Sequence, residues 1–168
     1  MANVLTSRIE VRASAALSSA LDLVTASAPT AIKRVLDLAS GTGLNQANVV
    51  WSDTRTLTTA QTDSLDLAGG GLTDPFGAAF APAKVKAIIV ASSSANTTNL
   101  TVFGDAAHVP FLGTVATSMT LTPGGFIVLT NPSLAGWVVT AATADIIKIV
   151  NAAGASATYD IVVIGTSA

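Results

Sequence analysis

The chain has 168 residues, no cysteine and a formal net charge of −2. These values exclude disulfides and thiolate metal sites, and they allow one sizeable core while leaving too little chain for two comfortable domains. Charged residues make up 11% of the sequence, against about 25% in typical domains, so much of the surface is expected to face other subunits. The basic residues Arg8, Arg12, Lys33, Arg34, Arg55, Lys84, Lys86 and Lys148 are scattered, which offers nothing to nucleic acid. Mean hydropathy is +0.61, yet Ser, Thr, Gly or Asp interrupts every apolar run before the roughly 18–20 residues a spanning helix needs. The opening MANVLTSRIEVR lacks the pattern of a secretory signal. The expected route is synthesis in a host cytoplasm and use as made.

In chain order, residues 3–12 alternate like a strand. Residues 14–23 fit helix and strand about equally, because Ala15, Leu17, Ala20, Leu21 and Leu23 make no clean helical face. Pro29 is expected to break the chain. Residues 31–38 suit a strand or one helical turn, followed by a loop, SGTGLNQAN. Residues 49–58 are rich in Thr, Val and Trp and read as a strand. Residues 62–68 alternate Leu65 and Leu67 with Ser64 and Asp66, and the glycine-rich 69–77 is a connector. KVKAIIVA at 84–91 is the clearest core strand, a polar loop follows, and LTVFG at 100–104 is the next strand. Pro123-Gly124 carries the signature of a type II turn, which predicts a hairpin between 117–121 and 125–130. GWVVT, DIIKIV and TYDIVVIG complete the set, with 152–156 expected as a hairpin loop joining the last two.

Short strands spaced by turn residues predict an all-β fold, a two-sheet antiparallel sandwich of jelly-roll type. The less regular residues 1–30 are expected to form an N-terminal arm, or a first strand plus a short helix, that contacts other subunits. Residues 31–168 are expected to form a single β-sandwich domain. The expected core comprises Ile88, Ile89, Val102, Phe126, Val128, Val138, Ile147, Ile149, Ile161 and Val163.

Catalytic and binding chemistry is sparse. His108 is the single histidine and lies three residues from Asp105. A general base needs a nucleophile within reach, and no G-x-S-x-G elbow accompanies it; the plainer reading is a loop or interface residue. Asp53, Asp63, Asp66 and Asp74 have the right chemistry for Ca²⁺ but not an EF-hand spacing, and read more simply as strand-face and turn-capping aspartates. The only glutamate is Glu10, which argues against a glycosidase carboxylate pair. Gly41-Thr42-Gly43 and Gly69-Gly70-Gly71 lack the residues of a phosphate loop. Asn96 and Asn99 match the glycosylation pattern, which in a chain that is not secreted indicates an exposed loop. Trp51 and Trp137 suit either sugar stacking or packing in a core or interface. No catalytic, cofactor-binding or metal residue is assigned, and no cofactor is expected.

Two blocks carry a family resemblance. SDTRTLTTAQTDSLDLAGGGLTDPFG at 52–77 is followed by KVKAIIV, and LTPGGFIVLTNPSLAGWVVT at 121–140 is followed by DIIKIVNAAGASATYDIVVIGTSA. Together, over roughly 45–168, they resemble small β-rich virion proteins of tailed bacteriophages. LTPGG and the terminal YDIVVIG are the most specific features. The resemblance implies a non-enzymatic structural protein of the phage particle and brings no catalytic residues. The expectation is a capsid decoration or cement protein, found in the virion. Its partners would be the major capsid protein and its own copies in a dimer or trimer, with no nucleic acid and no membrane. The alternatives are a receptor- or glycan-binding module of a head or tail fibre, and a self-assembling tail-tube or capsid subunit.

Overall fold

The structure is a computed structural model that describes residues 4–113, 117–152 and 154–168. Among them there are strands and no helix. In chain order these are β1 (Ser7–Ala20), β2 (Thr25–Ser40), β3 (Gln46–Ala47), β4 (Val49–Leu57), β5 (Thr62–Asp66), β6 (Lys84–Ser92), β7 (Leu100–Phe103), β8 (Ser118–Leu121), β9 (Phe126–Thr130), β10 (Trp137–Val138), β11 (Ile146–Asn151) and β12 (Ala157–Thr166). They form three sheets.

One sheet runs β4-β12-β6, with β9 and β10 both paired to β6; a second runs β5-β11-β7-β8. All pairings within these two sheets are antiparallel. Their inner faces share one apolar core, in which Trp51, Leu57, Ile88, Val90, Tyr159, Ile161 and Val163 meet Leu65, Leu100, Val102, Leu121, Ile147 and Ile149. The chain changes sheet between β4 and β5, β5 and β6, β6 and β7, β8 and β9, β10 and β11, and β11 and β12.

That alternation overturns two expected hairpins. The turn at Pro123-Gly124 is present: Gly124 has φ 74°, and Gly125 N–H donates to the Thr122 carbonyl at 2.9 Å. However, β8 pairs with β7 while β9 pairs with β6, so the turn bridges two sheets instead of closing a hairpin. The same holds for 152–156, because β11 pairs with β5 and β7 whereas β12 pairs with β4 and β6. Residue 153 of that loop, and the expected strand start at residue 3, lie outside the described residues.

Six of the ten expected core residues, Ile88, Val102, Ile147, Ile149, Ile161 and Val163, are buried. Phe126 and Val138 are instead 66% and 51% exposed, and Ile89 and Val128 are only half-buried. Side chains alternate between faces along a strand, and β9 and β10 turn Ile127 and Trp137 towards the core. A one-residue error of parity therefore reversed both short strands.

The third sheet is built on a long antiparallel ribbon. β1 and β2, of 14 and 16 residues, pair from Ser7↔Leu38 to Ala20↔Thr25, and β3 adds a short parallel strand at the base. The helical alternative for 14–23 is not taken up, and Pro29 does not break the chain. Leu21 N–H donates to the Val24 carbonyl at 2.9 Å, which sets the hydrogen-bonding parity of the ribbon. Counting back from that rung, Ala16↔Pro29 falls on a rung without cross-strand bonds. The missing N–H of Pro29 therefore points to the open edge, where a strand tolerates proline.

Candidate interaction surface

Residues directly opposite in an antiparallel pair share a face, so the register assigns the ribbon's two sides. One face carries Ile9, Val11, Ala13, Ala15, Leu17 and Leu21 from the first half, opposite Leu36, Arg34, Ile32, Thr30, Ala28 and Val24 from the second. It is apolar except for Ser7 at the base and for Arg34, Thr30 and Ser19. The other face carries Arg8, Glu10, Arg12, Ser14 and Ser18 opposite Asp37, Val35, Lys33, Ala31 and Ser27. Its charges pair on that side, Arg8 with Asp37 at 3.4 Å and with Glu10 at 3.5 Å, and Lys33 with Glu10 at 3.0 Å. The ribbon is amphipathic along its length.

The apolar face is covered only at its base. There Ile9, Leu36 and Leu38 pack with Ala87, Ile164, Val50 and Val162 from the outer side of the β4-β12-β6 sheet. Beyond the base the same face is bare: Leu17 is 78% exposed, Val24 63% and Ile32 52%, and Leu23 in the terminal turn reaches 99%. A two-stranded hairpin is at best marginally stable on its own in water. Beside the covered base lies a groove, walled by Ile9, Val11, Arg34 and Leu36 on the ribbon and by Val128, Thr130 and Pro132 along β9 and its exit. The groove is continuous with the bare face.

The residues singled out in the sequence lie elsewhere and serve the body's architecture. Both carboxylate oxygens of Asp63 of β5 accept from Nη1 of Arg55, at 3.0 and 3.2 Å, and one of them accepts from the Tyr159 hydroxyl at 2.6 Å. Asp53 takes the Arg55 Nε at 2.9 Å, and the guanidinium lies 5.5 Å from the Trp51 ring centroid. This network ties the β4-β12 pair to β5 across the core. Asp66 caps the Ala68 and Gly69 N–H groups, and Asp74 caps those of Phe76 and Ala78. Asp53 and Asp63 thus share one arginine while Asp66 and Asp74 cap separate turns, and among the described residues no three His, Cys, Asp or Glu side chains converge.

His108 is buried. Its Nδ1 lies 2.8 Å from the Asp105 carbonyl oxygen, while the Asp105 carboxylate caps Ala107 at 2.9 Å and lies 3.6 Å from the Lys148 ammonium. The pair is therefore joined through main chain and not as a base with its orienting carboxylate. Gly41-Thr42-Gly43 wraps the Gln46 side chain, whose Oε1 accepts the Gly43 N–H at 2.8 Å. Asn96 is half-buried and clamps β12: it accepts the Thr158 N–H and donates to the Thr158 carbonyl, both at 2.8 Å. Asn99, by contrast, is exposed. Trp51 is buried, and Trp137 sits edge-on to Phe111 with centroids 5.2 Å apart. The Trp51 indole therefore offers no open stacking platform, whereas Trp137 is half-buried.

Burial perturbs three groups. Tyr159 is held well above the ordinary tyrosine value, first by burial and then by its bond to Asp63. Burial alone would lower Arg55, but its bonds and proximity to Asp63 and Asp53 outweigh it and raise the guanidinium. Lys86 is fully buried among carbonyls, with Ser133 and Leu134 accepting from its ammonium, and burial, then the neighbouring Lys84, lowers it.

The ribbon's amphipathy escaped the sequence reading, although its signal is there: folding the chain back at residues 22–23 brings the alternating apolar positions of 9–21 opposite those of 24–36. Compared with protein-family models, curated proteins and solved structures, the chain matches none.

Proposed function

We propose that the chain is a non-enzymatic structural protein of a tailed-phage virion, a decoration or cement protein that binds the outer capsid surface and stabilises it through contacts between subunits. The observation that carries this reading is the ribbon, a long amphipathic projection whose apolar face is bare beyond its base. A lone particle gains nothing from such a face, since contiguous exposed apolar surface marks interaction sites. The low charge supports the same reading, because a surface destined to be covered avoids the cost of burying unpaired charge. So does the resemblance of the blocks at 52–77 and 121–140 to phage virion proteins.

The strand order of the body also favours it. Numbering the body from β4, with β9 and β10 as one broken strand, the sheets run first-eighth-third-sixth and second-seventh-fourth-fifth. We read this as a jelly roll, an architecture common in viral capsid and lectin domains. Fold alone does not assign function, so the weight rests on the ribbon. The partners on this reading are the major capsid protein and other copies of the chain, in the virion.

Cryo-microscopy of intact particles carrying the chain tests the proposal. The expected result is density for the body and its ribbon on the outside of the head. Density confined to a tail or fibre favours the receptor-binding alternative, and tubes or shells formed by the purified chain alone favour the self-assembling subunit; either overturns the capsid assignment.

A further inference from the structure

Building on the adhesive reading of the ribbon, we infer that its bare face is covered by the ribbon of a second copy of this chain. The two pack face to face and antiparallel, so that the terminal turn of each enters the groove at the base of the other. Three features favour this occupant. The first is length. The groove begins at Ile9 and the turn lies at Asp22, so the stretch between them spans roughly 43 Å at ~3.3 Å per residue. An antiparallel pair centred near the Ala15↔Thr30 rung brings each tip to the other's groove and leaves neither face bare.

The second feature is shape and area. The face alternates large and small side chains, with Leu17 and Ile32 among Ala13, Ala15, Ala26 and Ala28. About that centre, Leu17 of one copy lies over the Ala13↔Ile32 region of the other. A ribbon two strands wide, ~10 Å by ~43 Å, buries roughly 900 Å² over both copies on the faces alone, and the tips seated in the grooves add to this towards the ~1,000 Å² that a specific interface clears.

The third feature is charge. Arg34 is the charged residue of the apolar face and lines the groove. Its guanidinium donates to the Lys33 carbonyl at 3.0 Å, and it forms no ion pair among the described residues. Asp22 sits in the terminal turn, between Leu21 and Leu23, likewise without an ion pair. In this register Asp22 of each copy lies over the Ile9↔Leu36 end of the other's groove, about two rungs or ~7 Å from the Val11↔Arg34 rung, a gap that the long arginine side chain spans, twice over by symmetry. A cation in an apolar groove with no carboxylate on its own chain is thereby matched by a carboxylate on an apolar tip.

Sedimentation equilibrium on the full chain, across the micromolar range, tests this with Asp22→Arg, Arg34→Asp and the double reversal. The wild type is expected to be a dimer. Each single reversal places like charges together and weakens dimerisation by about tenfold or more, and the double reversal recovers most of that loss. Circular dichroism and melting of the same variants control for folding, because both sites are exposed. A wild-type monomer, a trimer, or singles without effect overturns the pairing, and so does a double reversal no better than the singles. The outcome is separable from the capsid reading. A monomer that still binds phage heads removes only the pairing, whereas a dimer that ignores them removes only the capsid assignment.

Discussion

Replacing Asp63 by alanine tests how the two body sheets are held together. The carboxylate accepts two contacts from Arg55 and one from the Tyr159 hydroxyl, and its side chain is 15% exposed against 32% for Arg55. In Asp63→Ala the Tyr159 hydroxyl, on a fully buried residue, loses its partner, and stranding a buried donor costs about 1–3 kcal/mol. Arg55 keeps Asp53 and some solvent, so its loss is discounted to at most ~1 kcal/mol. The total is about 1–4 kcal/mol. For a chain of this size that lowers Tm by roughly 2–16 °C, at about 2–4 °C per kcal/mol. The mechanism is checked by a double-mutant cycle with Tyr159→Phe, read by thermal and urea melts at one protein concentration. If the stranded hydroxyl dominates, removing it first makes the Asp63→Ala step milder by ~1 kcal/mol or more, well outside the ~0.3–0.5 kcal/mol scatter of independent sites. Additive costs would refute the argument, as would a Tm change of about 1 °C in Asp63→Ala.

Three further outcomes follow from the same structure. Tyr159 is the only tyrosine, so phenolate absorbance reports it alone; its raised folded value makes its contribution complete below the unfolded value of about 10, and stability falls as pH climbs past that point. In a pH series of melts this alkaline loss is expected to be reduced in Tyr159→Phe. Gly165→Ala is expected to destabilise by ~2 kcal/mol or more in urea titration, because a Cβ there would lie 2.4 Å from the Lys84 carbonyl oxygen, beside the register shift between Ile164 and Gly165. Phe126→Ser should change stability by no more than ~0.5 kcal/mol, whereas Ile127→Ala should cost about 2–5 kcal/mol; the reverse pattern in chemical denaturation would contradict the assigned faces of β9.

The strands of the body were largely legible because turn residues bracket them. KVKAIIVA at 84–91 reads as a core strand and is one, flanked by β12 on one side and β9 and β10 on the other. Pro123-Gly124 reads as a type II turn, and its hydrogen bond and φ agree. What a turn cannot reveal is whether its arms pair with each other or leave for different sheets. That choice depends on strands far away in the sequence, which is why both expected hairpins became crossings. The face of a strand as short as Phe126–Thr130 was equally ambiguous, since apolar residues occupy both sides. Residues 14–23 were undecided because Ala and Ser suit either state locally, and it is the cross-strand register with 25–38 that selects extended chain. The Arg55–Asp63–Tyr159 network was invisible to motif spacing: Asp63 and Tyr159 are 96 residues apart, and only the stacking of the sheets joins them.

The placement of β12 between β4 and β6 has a consequence for biogenesis. Its pairing with β4 joins Thr54 to Asp160, 106 positions downstream, so on the ribosome both flanking strands emerge well before the strand that belongs in the middle. The amphipathic hairpin at the start closes locally, on the microsecond scale of such events, while the body waits for its keystone with its interior unsealed. High contact order of this kind slows folding and exposes intermediates. Nascent copies would thus carry an early, sticky appendage beside a late-closing body, and crowding on one messenger would favour meeting a sibling before the rest is finished.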